Sequence, residues 1–148
     1  MKLLFLLLLF ISSQCFVNAQ NTADDIVGRW LSVQNNFMVE VYNYGQEYRA
    51  KIVWFDDSDD PSRPMNERLD IENPDKKLRG QKILGSNVLK QLVYNRKSKV
   101  WKNGYVYDAT SGRTWNASVW LLENGRLKVR GYWHFQFLGQ NLFFKRVN

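Results

Sequence analysis

Apolar and polar residues alternate along most of the chain beyond its first twenty positions. In the stretch EYRAKIVWF, which covers 47–55, the alternation puts four apolar residues on one face, namely Tyr48, Ala50, Ile52 and Trp54. The stretches TWNASVWLL and RLKVRGYWH repeat the same period of two. Because successive side chains of a β-strand point to opposite faces, this pattern predicts half-buried strands.

Turn signals divide the alternating pattern into eight predicted strands. They include Asn124-Gly125, an Asn-Gly pair of the kind that favours a tight hairpin turn. The predicted strands lie near residues 27–33, 37–44, 47–55, 88–95, 99–107, 113–122, 126–135 and 140–147. Antiparallel strands that follow one another through short turns close naturally into a barrel with no unpaired edge. We therefore expect an all-β fold, an eight-stranded antiparallel up-and-down barrel.

One connection is far longer than the others. Residues 56–86, between the third and fourth predicted strands, contain all three Pro residues of the chain and many charges. A connection of this length in a compact domain is usually a lid, a binding loop or a disordered segment. The pattern shows no repeat and no second domain, so residues 20–148 are expected to form a single domain.

The first nineteen residues have the pattern of a signal peptide. One cation, Lys2, precedes an apolar run from Leu3 to Ile11, and small or polar residues lead to Ala19. The run is much shorter than the ~20 residues that a membrane-spanning helix needs. We expect cleavage after Ala19 and an exported protein, periplasmic or secreted. Lipidation of Cys15 is a weaker alternative, because Gln14 before it is neither small nor apolar.

Loss of this leader changes both the cysteine content and the charge. Cys15 is the only Cys, so the mature chain has no disulfide to stabilise it. With Lys2 also removed, 20 basic residues stand against 14 acidic ones, a net charge of +6. Such a charge speeds encounter with anionic partners without specifying one. For an exported protein we expect an anionic envelope surface as partner, no nucleic acid, and no transmembrane segment in the mature chain.

Gly28-Arg29-Trp30 on the first predicted strand resembles the G-x-W signature of lipocalin-like barrels. In those barrels the Trp closes one end, and a cation from the last strand lies across its ring. Here the last strand, LFFKRV, turns Arg146 to the same face as two apolar residues. The resemblance implies a structural pair at the barrel end, Trp30 with Arg146, joined by a cation–π contact of roughly 0.5–2 kcal/mol. The alternative is that Trp30 is an ordinary core residue and Arg146 points outward.

A longer set of residues in a fixed order runs from about Ile26 to Val147. Its members are Gly28-x-Trp30, Ile52-Val53-Trp54, Asp70-x-x-Asn73-Pro74-Asp75, Leu84-Gly85, Trp101-x-x-Gly104-x-x-Tyr107-Asp108, Gly112, Leu127-x-Val129-x-Gly131-Tyr132, Leu138-Gly139 and Lys145-Arg146. This set resembles the bacterial domain of unknown function 2147 family, exported proteins with a lipocalin-like barrel and no established activity. The chain departs from the family at Ala50, where Gly is common, at Trp115, where Tyr is, and at Phe144, where Trp is. The resemblance implies a scaffold and supplies no mechanism.

Residue types that carry catalysis or bind metals are sparse. His134 is the only His and the mature chain has no Cys, which excludes a Cys/His zinc site. No G-x-S-x-G motif marks a nucleophile. The long connection contains an acidic cluster, Asp56, Asp57, Asp59 and Asp60. Such carboxylates can act as acid and base in the hydrolysis of a sugar or can bind Ca²⁺, but this cluster lacks the spacing of a calcium-binding loop. We expect no metal, no cofactor and no enzyme, with an envelope hydrolase using loop carboxylates as an alternative.

The most motif-like polar stretch contains Asp70, Asn73 and Asp75 around Pro74. Asp70 and Asn73 could present a polar pair at the barrel mouth. Alternatively, Asn73 and Asp75 bond the local backbone in a turn fixed by Pro74, as both residue types readily do.

Aromatic residues are the remaining signal, with six Trp and seven Tyr in the chain. Alternation turns many of them inward, and the candidate ligand-binding lining is Tyr48, Ile52, Trp54, Tyr105, Tyr107, Trp115 and Trp133, with Trp101 also facing inward. If they line a cavity, it suits a small apolar or amphipathic ligand such as a lipid. If they interdigitate, the barrel is filled and the protein is an interaction module for an envelope protein or glycan. Both remain open, with ligand binding the leading hypothesis.

Overall fold

Eight antiparallel strands close into a barrel in the order in which they follow along the chain. The computed structural model describes residues 22–135 and 139–148. The strands are β1 (Gly28–Ser32), β2 (Phe37–Tyr44), β3 (Glu47–Phe55), β4 (Asn87–Asn95), β5 (Val100–Asp108), β6 (Arg113–Leu121), β7 (Leu127–Tyr132) and β8 (Gln140–Val147). Two 3₁₀ helices are also present, η1 (Ala23–Ile26) and η2 (Lys76–Leu78). The predicted barrel is confirmed, while the predicted leader, including Cys15, lies outside the described residues.

The predicted strand boundaries differ from the structure most at β7. The pattern predicts a strand to residue 135, but β7 ends at Tyr132 and the chain bends at Trp133 and His134. There the side chain of Asn116 donates a hydrogen bond to the carbonyl of Trp133 at 2.7 Å. A side-chain bond thus replaces the ladder at the point where the strand stops.

The two ends of the barrel are built differently. At one end, η1 lies across the barrel and its Ile26 is completely buried. Two completely buried residues, Trp30 and Trp101, bond to carbonyls of η1. We call this the sealed end. The other end, where β3, β5 and β7 finish and the 56–86 connection begins, is the open end.

A register shift between β2 and β3 moves Trp54 to the outer surface. Val39 pairs with Ile52, but the next residue, Met38, pairs with Trp54, so Val53 is an extra residue. Val39 and Ile52 both face the core. Because Met38 points away from the face of Val39, its partner Trp54 points outward as well. The prediction that Trp54 lines the barrel is therefore wrong.

A second shift, between β5 and β6, corrects two more predicted orientations. Trp101 pairs with Val119, but Gly104 pairs with Ala117, so β5 has one extra residue in this interval. Asn103 within it has a positive φ of 62°. Downstream of this bulge Gly104 and Val106 face inward, so Tyr105 and Tyr107 face outward. Strict alternation predicts that Tyr105 and Tyr107 face inward, because a period of two does not account for an inserted residue.

The long connection packs against the outside of the barrel. Its residues Leu69 and Lys82 form an antiparallel bridge, so that 69–82 folds back on itself with η2 at the turn. Val88 and Leu89 are neighbours in β4 and both are buried, which means that both faces of β4 are covered there. The connection between β3 and β4 that the sequence predicts is thus present and structured.

Candidate functional site

Side chains from four strands converge on η1 at the sealed end. The indole N–H of Trp30 donates to the carbonyl of Ile26 at 2.8 Å, and that of Trp101 donates to the carbonyl of Ala23 at 3.0 Å. Tyr48 donates its hydroxyl proton to the carboxylate of Asp24 at 2.6 Å. A short helix leaves its terminal carbonyls without intrahelical partners, so these bonds satisfy groups that would otherwise be buried unpaired.

Trp30 and Arg146 are in contact at this end. They are directly paired across β1 and β8, and the guanidinium carbon lies 4.3 Å from the centre of the Trp30 ring. Arg146 also donates to the carbonyl of Val27 at 2.9 Å and to that of Asp25. A Cβ at Gly28, whose φ is +129°, would lie 2.9 Å from the guanidinium. Glycine at this position therefore leaves room for the Arg146 side chain.

Tyr48 belongs to the sealed end and to its hydrogen bonds. Its side chain is buried, and burial together with the bond to Asp24 raises the pKa of its hydroxyl to about 12. It packs with the core cluster, as Ile52 does at its edge. Tyr48 is therefore built into the closed half of the barrel rather than into its mouth.

Large apolar side chains lie exposed at the open end. Trp133 and Phe135 are 58% and 59% exposed, and Leu142 is 40% exposed although its partner Val129 faces the core. The rings of Trp115 and Trp133 meet edge to face with centroids 5.6 Å apart. The structure thus brings together two of the predicted lining residues, Trp115 and Trp133, at the mouth.

Between the packed half and the mouth lies a row of very small residues. Gly104, Ala117 and Gly131 are paired in sequence across β5, β6 and β7, on the inward face. They contribute almost no side-chain volume to this level of the barrel. Val106 and the Cβ of Trp115 lie just beside Gly131, within 3.5–3.7 Å of where its Cβ would be. A Cβ at Gly104 would lie 2.8 Å from Cδ1 of Leu92, so Leu92 fills the space beside this residue and the wall below the mouth is apolar.

The remaining predicted lining residues lie elsewhere. Tyr105 is 45% exposed on the outer wall. Trp54 borders an open depression of about 310 Å³ on the outside, together with Leu31, Asn35 and Met38. The predicted set is thus divided among the sealed core, the mouth and the outer surface.

The stretch around Asp70 holds the long connection to the barrel. Asp70 is only 4% exposed, and its two carboxylate oxygens accept from the hydroxyl of Tyr107 and from the amide of Asn73, both at 2.7 Å. Asn73 in turn accepts from the N–H of Asp75, which caps η2 by accepting from the N–H of Lys77. Burial, followed by the bond to Asp70, raises the pKa of Tyr107. These contacts are the turn chemistry of the second alternative raised by the sequence.

Three carboxylates of the acidic cluster at 56–60 are held ionised. The pKa of Asp56 is lowered by hydrogen bonds from Ser58, and that of Asp59 is lowered by the guanidinium of Arg68. Hydrogen bonds from Ser62 and Arg63 lower the pKa of Asp60 to about 2. A general acid must keep its proton near neutral pH, which requires a shift in the opposite direction. These three carboxylates are therefore poorly suited to protonating a leaving group.

The described ranges, 22–135 and 139–148, contain no group of three or more His, Cys, Asp or Glu placed to hold a metal ion. None of their helices has the length and apolar character that crossing a membrane requires.

Sequence reasoning missed three features of the ends. The carbonyls of η1 are invisible to a residue pattern, since a backbone acceptor belongs to every residue. Phe135 falls in a segment that alternation assigns to a strand, and the bend after Tyr132 exposes it instead. The inward position of Leu142 follows from alternation along β8, but its exposure does not.

Comparison with known proteins agrees with this architecture. The model of a family described as "Uncharacterized protein conserved in bacteria (DUF2147)" matches residues 28–146. Among solved structures the chain is similar to protein HP1028 from the human pathogen Helicobacter pylori, described as belonging to the lipocalin family. The TM-score is 0.68, with 21% identity over 83% of each chain, a level at which the likeness shows the fold alone. No curated protein matches the chain.

Proposed function

Since the chain belongs to the DUF2147 family, as its ordered motifs predict, and folds as a lipocalin-like barrel, we propose that it binds a small apolar or amphipathic ligand at the open end. The observation that carries this proposal is the asymmetry of the two ends. One end is sealed by η1, while the other exposes Trp133, Phe135 and Leu142 around an apolar wall. Exposed apolar side chains grouped at one place on a surface are typical of sites that bind a ligand or partner.

The packed half limits what the barrel can hold. Trp30 and Trp101 are completely buried and fill the sealed end together with Leu92. A ligand entering past Trp115 and Trp133 therefore reaches only to the level of the small residues. This depth suits the end of an acyl chain or a compact apolar molecule, with any polar group left at the mouth.

Export is part of the proposal. The leader-like pattern of residues 1–19, with cleavage after Ala19, supports a periplasmic or secreted location. There the protein would bind its ligand without catalysis, in keeping with the lowered pKa values of the loop carboxylates.

A second candidate is an interaction module for an envelope protein or glycan. The open depression formed by Leu31, Asn35, Met38 and Trp54 favours it, because a partner could dock there without entering the barrel. Ligand binding depends on Trp115 at the mouth, whereas docking of a partner depends on Trp54 on the outer surface.

Native mass spectrometry of the mature protein from a bacterial periplasm tests the leading proposal. We expect a mass excess that disappears on denaturation, and binding of a fluorescent fatty acid added as a probe. Trp115→Ala should weaken probe binding about tenfold, since an aromatic contact area is lost. Trp54→Ala is the matched control and should change it less than about twofold, as expected of a residue away from the ligand. A bare chain that also ignores the probe, or a larger effect of Trp54→Ala, would contradict the proposal.

A further inference from the structure

Charge is divided very unevenly between the two parts of the chain. Residues 22–75 contain twelve carboxylates and five Lys or Arg, a net charge of −7. Residues 76–148 contain fifteen Lys or Arg and two carboxylates, a net charge of +13. Because the strands close in sequence order, β1–β3 form one side of the barrel wall and β4–β8 the other. The strongly basic part includes β4–β8, whereas eight of the twelve carboxylates of the first part lie in the connection, at 56–75.

Part of the positive charge lies beside exposed apolar residues in the folded-back segment 69–82. Its basic residues are all exposed, namely Lys76, Lys77, Arg79 and Lys82. Its apolar residues are exposed as well, with Leu69 at 42%, Ile71 at 56% and Leu78 at 36%. The segment also contains three carboxylates, so four cations leave it a net charge of +1. Asp70 is buried against Tyr107, and the two exposed carboxylates, Glu72 and Asp75, precede the cations, so 76–82 carries positive charge alone.

Two contacts place this segment at the mouth of the barrel. Asp70 bonds to Tyr107 near the end of β5, and the backbone of Glu72 lies against Gly112 in the turn between β5 and β6. A Cβ at Gly112 would come within 2.0 Å of the carbonyl oxygen of Glu72, so only glycine permits this approach. That turn belongs to the open end, where Trp133 and Phe135 are exposed.

We propose that segment 69–82, together with Trp133 and Phe135, docks on a bilayer that contains anionic phospholipid, with the mouth turned toward the lipid. We call this surface the docking rim. Its cations complement the lipid headgroups, and its exposed aliphatic and aromatic side chains enter the headgroup boundary. Neither part suffices alone, because charge draws the protein close and apolar burial fixes its orientation. Docking needs no occupant of the barrel, so it stands or falls separately from ligand binding.

Sedimentation with vesicles tests the docking rim. The mature protein, checked by intact mass to begin at Gln20, should bind vesicles of equal parts phosphatidylglycerol and phosphatidylcholine and ignore pure phosphatidylcholine. Lys76→Ser with Lys77→Ser should lower partitioning about tenfold. The matched control removes the same charge at the sealed end, Arg96→Ser with Lys97→Ser, and should lower it no more than about twofold. Equal losses in the two pairs would show attraction without orientation and overturn the proposal.

A second measurement tests which end meets the lipid. The mature chain has no Cys, so a single Cys can be placed and labelled with a polarity-sensitive dye. At Ile71→Cys we expect the emission to shift to the blue on anionic vesicles. At Gln46→Cys, in the turn between β2 and β3 at the sealed end, we expect no shift. A shift at residue 46 alone, or at neither position, would refute the docking rim.

Discussion

The sealed and the open end use the same large residues in opposite ways. Trp30 and Trp101 are completely buried, with their indole N–H groups on carbonyls of η1. Trp133 at the other end is 58% exposed and touches Trp115 through its ring. A Trp stabilises a fold when its ring is buried and its indole N–H has a hydrogen-bond acceptor. It can contact a ligand when its ring faces solvent. The amino-acid composition does not distinguish buried from exposed Trp residues, whereas their environments in the structure do.

The largest expected effect comes from removing the buried Trp of this comparison. Trp30→Ala should lower the free energy of unfolding by about 3–5 kcal/mol, since it leaves a cavity and frees the carbonyl of Ile26. Trp133→Ala should lower it by less than about 1 kcal/mol, because its ring is mostly exposed already. Urea denaturation of both variants measures the difference. Similar losses would mean that the ends do not differ in the way described.

The next effect concerns Asp70, a strongly buried carboxylate near the open end. Asp70→Ala should lower the free energy of unfolding by about 2 kcal/mol, since Tyr107 and Asn73 lose their acceptor. It should also speed proteolysis within 56–86, because the connection loses its attachment to β5. Asp59→Ala is the control, as its carboxylate is mostly exposed beside Arg68 and should cost about 0.5 kcal/mol or less. If Asp70→Ala leaves both stability and proteolysis unchanged, the Asp70–Tyr107 bond does not hold the connection.

A smaller effect is the coupling between Trp30 and Arg146. In a double-mutant cycle with Trp30→Leu and Arg146→Ala, we expect a coupling free energy of about 0.5–2 kcal/mol. Arg29→Ala serves as control, because Arg29 pairs with Glu40 on the outer surface. Strict additivity of the Trp30 and Arg146 losses would argue that the cation–π contact contributes nothing.

The smallest effect is the pH dependence that Tyr48 contributes at the sealed end. Tyr48 has a pKa of about 12 in the folded state against an ordinary value of 10.0. Its folded form holds the proton more tightly, so its contribution is complete below about pH 10 and is lost as the pH rises toward 12. Tyr48→Phe should flatten the fall in thermal stability across this window, whereas Tyr105→Phe on the outer wall should not. If thermal stability falls with pH as steeply in Tyr48→Phe as in the unchanged protein, Tyr48 does not cause this pH dependence.

Most of the barrel could be predicted from the period of the sequence. Alternation and turn residues predict the eight strands, because burial of one face is written into every second residue. The orientation of Trp54, Tyr105 and Tyr107 could not be predicted, since each follows a bulge that adds one residue to a strand. A one-residue insertion exchanges the faces of everything beyond it.

The candidate site was less accessible to sequence reasoning than the fold. The pattern places Trp115 and Trp133 on inward faces, and the structure brings their rings together, yet nothing in their pattern distinguishes a mouth from a core. That distinction depends on η1, which closes one end through backbone carbonyls. The division of charge at residue 75 is plain in the sequence, but the position of the basic segment at the mouth depends on the contacts of Asp70 with Tyr107 and of Glu72 with Gly112.

Closure between the first and last strands also governs when the molecule can form. The bond from Arg146 to Val27 joins residues 119 positions apart, and β1 completes its pairing only with β8. During synthesis, the barrel therefore cannot close until almost the final residue has emerged. For the export that we propose, this delay keeps the chain unfolded until its last strand has been made.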